Sequence, residues 1–63
     1  MKLDRIKVIS EMARQHKTVL ELAKISGLSR VTITNIRAGK ECNTATAYSL
    51  ARALNVDVSD LKE

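Results

Sequence analysis

Arg30, Val31, Thr34 and Asn35 lie within one six-residue stretch, RVTITN, which contains Ile33 and is followed by Ile36. On a helix turning about 100° per residue with both isoleucines inward, the opposite side carries Val31, Thr34, Asn35 and Ala38. Arg30 falls toward one flank of that side and Thr32 toward the other. No acid is among them. The chemistry open to such a face is recognition of base edges. A carboxamide such as Asn35 can bond bidentately to adenine, and the Arg30 guanidinium to guanine or a phosphate. The methyl groups of Val31 and Thr34 can meet the methyl of thymine.

The charge distribution suits the same partner. The chain carries a net charge of +4 over 63 residues. Residues 14–40 hold Arg14, Lys17, Lys24, Arg30, Arg37 and Lys40 against Glu21 alone, whereas residues 41–63 are net acidic. A concentrated positive patch attracts a polyanion, although a solvated basic face is equally compatible with charge alone. Other chemistries find little support. His16 and Cys42 are the only soft metal ligands, too few for a structural zinc site. Neither has the neighbours of a catalytic dyad, and no phosphate loop is present, so neither an enzyme nor a cofactor is expected. No apolar run is long enough to span a membrane, and a single cysteine excludes an internal disulfide. A lone thiol fits a cytoplasmic setting.

The elements that must position the reading face are also legible. VTIT at 31–34 alternates like a strand and is built of β-branched residues. A lone four-residue strand has no partner, however, and Ser29 and Gly39 read as a helix cap and a helix stop. The spacing predicts five helical segments. The first, roughly Leu3 to Gln15, places Leu3, Ile6, Ile9, Met12 and Ala13 on one apolar stripe. The second opens on the capping box Thr18–Glu21, turns Leu22, Ala23 and Ile25 inward and stops at Gly27. The third runs from the Ser29 cap to about Ala38. The fourth is capped by Asn43, carries Ala47, Leu50, Ala51 and Leu54 on one face and ends at Asn55. Asp57 caps a last short turn or helix bearing Val58 and Leu61. The whole, residues 1–63, reads as one all-α domain, a compact five-helix bundle.

Within residues 19–38 the pattern becomes specific. Ala23 is the small residue that two steeply crossing helices need at their contact. Gly27, four residues on, supplies the positive φ of a tight turn, and Ile33 and Ile36 anchor the second helix. This is the helix-turn-helix pattern. The run TVLELAKISGLSRVTITNIRAGK, with LARALNVDVSDL after it, resembles the Cro/C1-type (phage-repressor, XRE-like) helix-turn-helix domain. The most specific parts are ELA at 21–23, G-x-S at 27–29, GK at 39–40 and ALNVDVSDL at 53–61. The resemblance implies a lambda-repressor-like bundle whose third helix enters the major groove. It further implies a transcriptional regulator of a bacterium, phage or mobile element. The matching positions Arg30, Val31 and Asn35 commonly read bases in that family, and Ser29, Thr32 and Lys40 commonly hold phosphates.

The chain departs from the family at three places. Val19 stands where a phosphate-holding Gln is common, so Lys17 or the amides opening helix 2 must substitute. Arg37 replaces a Glu that usually pairs with an arginine of helix 1, and counting back from Thr18 places that arginine near Met12. Arg37 then either snorkels toward a phosphate or meets Glu11. His16 and Lys17 replace the usual glycine between helices 1 and 2. Thr44, in the first turn of helix 4, is a further phosphate candidate. The expected function is a sequence-specific DNA-binding regulator, a repressor acting by occupying promoter DNA. It is expected to work as a homodimer on a pseudo-palindromic operator, with Val56, Val58 and Leu61 beside the end of helix 4 either as interface material or as closure of the core. The rival expectation is an antitoxin-like module that uses the same domain to bind a protein partner.

Overall fold

The computed structural model describes residues 1–63 and contains four α-helices: α1 Arg5–Arg14, α2 Val19–Ser26, α3 Arg30–Arg37 and α4 Thr44–Ala53. The fifth expected helix is a single 3-10 turn, Val58–Asp60. Three residues between Asp57 and Leu61 leave room for no more than that. VTIT lies inside α3, with Ile33 and Ile36 buried.

Local punctuation explains each helix start. Ser29 Oγ accepts from the Thr32 amide, and Asn43 Oδ1 accepts from the Thr46 amide at 2.8 Å. At α2 the capping box is complete: Glu21 N–H donates to Thr18 Oγ1 at 3.1 Å, and Thr18 N–H to Glu21 Oε1 at 3.0 Å. Three helices end alike, each on a residue with positive φ: His16 (55°), Gly39 (88°) and Asn55 (57°). After α1 the His16 amide returns to Ala13 and the Lys17 amide to Met12. After α3, Gly39 reaches Ile36 and Lys40 reaches Asn35; after α4, Asn55 reaches Arg52 and Val56 reaches Ala51. These are Schellman closures, which satisfy carbonyls the helix leaves open. Between α2 and α3, Gly27 turns the chain at φ 75°.

The core is wholly apolar: Leu3, Val8 and Met12 from the first segment, Leu22 from α2, Ile33 and Ile36 from α3, Ala47, Leu50, Ala51 and Leu54 from α4, and Leu61. α2 packs on α3 and α4, α1 packs on α3, and α4 packs on the 3-10 turn. Two expected faces are corrected. On α1 the inward line is Val8 and Met12, one turn apart, while Ile6 and Ala13 are exposed and Ile9 is half-buried. The helix begins only after Asp4, whose carboxylate accepts from the Ile6 amide at 2.9 Å. Leu3 therefore reaches the core from an extended segment that bridges to Lys62, not from the helix stripe. On α2, Ile25 is 55% exposed. That helix stops at Ser26, and Leu28, beyond the Gly27 turn, packs on the core instead.

The two ends of the chain are stitched to the body. Asp4 N–H donates to the Leu61 carbonyl at 2.8 Å, and the amino group of Met1 to the Cys42 carbonyl at 2.8 Å. Gln15 Nε2 donates to the Leu54 carbonyl at 2.6 Å, tying the end of α1 to the end of α4.

Candidate nucleic-acid interface

With Ile33 and Ile36 committed to the core, the rest of α3 is turned outward. Arg30, Val31 and Thr34 are exposed and Asn35 is half-buried. All four line one open groove of about 410 Å³, whose other wall is Val19 and Leu20 from the start of α2. Sequence reasoning brought the four α3 residues to one side, and the geometry brings them together. It missed Leu20, 49% exposed, because an apolar residue in an apolar helix reads as core. The one available signal was that Leu22 and Ala23 already supplied that helix with an inward contact.

None of the six remaining candidates lines this groove. Ser29 and Thr32 open α3 with their hydroxyl oxygens 2.8 Å apart. One hydroxyl must donate to the other, so one O–H proton of the pair is left free for another acceptor. Thr44 is the exposed first residue of α4. Lys17 and Lys40 each follow the left-handed residue of a Schellman closure, and their backbone amides are held at 2.8 Å and 3.0 Å. The charged tips are thus mounted on fixed backbone. Chain ion pairs are Lys2–Glu63 and Arg14–Glu11, which leaves Lys17, Arg30, Arg37 and Lys40 un-neutralised.

Arg37 does not meet Glu11. That carboxylate is taken by Arg14, through Nε at 3.0 Å, and by Gln15 Nε2 at 3.1 Å. The hydrogen bond from Arg14 is the main cause that holds the Glu11 carboxyl below its ordinary value. Arg37 is half-buried, and its Nε is enclosed without a partner. The stem therefore runs through the protein while the guanidinium end is the only part left to bond outward. Met12, near where the family's arginine is expected, is buried in the core.

Glu21, the one acid of the basic stretch, is spent on the α2 cap. Its hydrogen bonds from Thr18, the backbone one first, lower its carboxyl from the ordinary value. Cys42 sits half-buried in the α3–α4 connection, and burial pushes its thiol up, away from reactivity. No helix is long and apolar enough to cross a membrane. Tyr48, Arg52, Val56 and Val58 border a second open cleft at the end of α4. Of Val56, Val58 and Leu61, expected either as interface material or as closing the core, Leu61 is fully buried and takes the second role.

Against known sequences, residues 5–63 match the model of the Cro/C1-type HTH DNA-binding domain. No curated protein and no solved structure matches the chain.

Proposed function

The chain belongs to the Cro/C1-type helix-turn-helix DNA-binding domain family, and from that premise we propose that it is a sequence-specific transcriptional repressor that docks α3 in the major groove of its operator. The observation that carries this reading is the composition of the groove: Arg30, Val31, Thr34 and Asn35 together, with no acid in the lining. A face entering a groove walled by phosphates must be free of carboxylates, and these four side chains offer what base edges can bond. Asn35 pairs with an adenine, Arg30 with a guanine or adjacent phosphate, and Val31 and Thr34 meet a thymine methyl. Lys17, Ser29, Thr32, Arg37, Lys40 and Thr44 hold the flanking phosphates and set the register of the helix.

One copy of α3 spans only a few base pairs, so a homodimer on a pseudo-palindrome supplies the remaining specificity. The half-exposed Tyr48 beside Val56 and Val58 supports the end of α4 as the contact between copies. Occupying promoter DNA then excludes polymerase.

The test is selection of bound duplexes from a random DNA pool, repeated with Asn35→Ala and Lys40→Ala. Asn35→Ala relaxes preference at one base position, at a cost of about 1–3 kcal/mol there. Lys40→Ala weakens all sequences alike and lowers the slope of log K against log salt by about one. A pool that enriches nothing, with weak and wholly salt-driven binding, rejects the operator-reading function.

A further inference from the structure

Two apolar side chains face each other across the reading groove. Leu20 is 49% exposed and Val31 is 70% exposed, and both line the cavity that Arg30, Thr34 and Asn35 complete. Val19, which also lines the groove, is partly buried against the core. The groove is therefore an apolar slot inside a polar and cationic rim. No acid lines it, and the basic stretch around it is ion-paired to nothing except through Arg14. A peptide could also cover the apolar slot, but the unpaired cations Lys17, Arg30, Arg37 and Lys40 and the DNA-binding family of the chain favour a polyanionic duplex. In the major groove, the one apolar group that a base pair presents is the C5-methyl of a pyrimidine, and it stands beside donors and acceptors that Arg30 and Asn35 can bond.

We propose that Leu20 is a specificity-determining residue, forming with Val31 a receptor for the C5-methyl group of a pyrimidine next to the base pair read by Asn35. This rests on the DNA-reading function above. Thymine and 5-methylcytosine present the same methyl in the same place, so the site recognises either against uracil or unmodified cytosine. Neither residue is needed to close the core: both stand in water in the free protein, and the methyl removes them from it on binding. Burying one methyl against such a surface is worth about fourfold in affinity.

The test starts from the duplex enriched by the 63-residue chain. Each thymine is replaced singly by deoxyuridine, which deletes the methyl and nothing else, and each cytosine by 5-methylcytosine. At one or two adjacent positions the methyl should change affinity by about fourfold, with thymine arms and methylcytosine arms separating the two sources. With Leu20→Ala, whose fold is checked by its melting curve, the discrimination should vanish at one of these positions, and the methylated duplex should bind no better than the unmethylated one. The nucleotide series alone keeps the test valid if the variant folds poorly. Indifference to every methyl overturns the proposal while leaving operator reading intact. So does discrimination that persists undiminished in Leu20→Ala, or a protein partner whose capture needs Leu20 when methyl discrimination does not. Failure to enrich any duplex removes the operator-reading function itself, and Leu20's role with it.

Discussion

His16 adopts φ 55° at the end of α1, where a left-handed residue lets the His16 and Lys17 amides close on Ala13 and Met12. A β-carbon in that region is opposed by the neighbouring carbonyl, at a cost of about 1–2 kcal/mol that glycine avoids. Histidine is among the non-glycine residues that tolerate it best, which is why the closure survives. His16→Gly should therefore stabilise the chain, by roughly 0.5–1 kcal/mol after the extra freedom of glycine in the unfolded state is deducted. Urea unfolding of the two proteins side by side measures it. A loss of stability would mean that the imidazole makes a contribution its exposed position does not explain. The substitution of His16 for glycine was visible in the sequence, but its consequence was not. Whether the turn would change shape or strain to keep it depends on the two carbonyls waiting at the end of α1. Here the turn keeps its shape.

At the scale of elements, the helix boundaries were the most legible part of the chain. Thr18–Glu21, Ser29, Asn43, Gly27, Gly39 and Asn55 act on amides and carbonyls within five residues of themselves, so their meaning is local. The inward faces were less legible, because a face is chosen by what lies opposite it. A helix that includes Leu3 points the line through Ile6 and Ile9 inward, whereas Asp4 caps a helix that begins at Arg5, and Lys62 pairs with Leu3 from the far end of the chain. The α2 capping box has a further consequence. Hydrogen bonds to Glu21 hold its carboxyl below the ordinary value of 4.5, so the folded state binds its proton less readily than the unfolded one. The stabilisation is fully present above the unfolded pKa and is lost as pH falls through the depressed folded one. Glu21→Gln keeps an acceptor for the Thr18 amide but cannot titrate. The wild type should melt above this variant near neutrality, and the gap should close as pH drops from about 5 to about 3. Melting curves across that range decide it, and a gap independent of pH would assign the cap's value to shape alone. Glu11, depressed in the same direction by Arg14 and Gln15, remains in both proteins and cancels in the comparison.

The molecule as a whole has little to spare. It has 63 residues, one free cysteine and eleven core side chains, so a stability of roughly 0.05–0.15 kcal/mol per residue amounts to about 3–9 kcal/mol. The last core residue in sequence, Leu61, is fully buried, and its carbonyl receives the Asp4 amide that begins the body of the domain. The reading helix α3 packs mainly on other elements than this closure. It is held by α1 and α2, and α2 in turn rests on α4, against which the 3-10 turn carrying Leu61 closes. Truncating a buried leucine costs about 2–5 kcal/mol, since the apolar surface is lost and a cavity is left that the surroundings fill only partly. Leu61→Ala should therefore consume a large share of the total and lower the urea midpoint sharply. It should reduce DNA affinity only through the fraction unfolded, leaving base preference unchanged. The matched control is Ile25→Ser. Ile25 has the sequence credentials of a core residue yet is 55% exposed, and changing it should move stability by no more than about 0.5 kcal/mol. If both substitutions cost the same, the 3-10 turn is not part of the cooperative unit, and the α1–α4 body must carry the reading face without it.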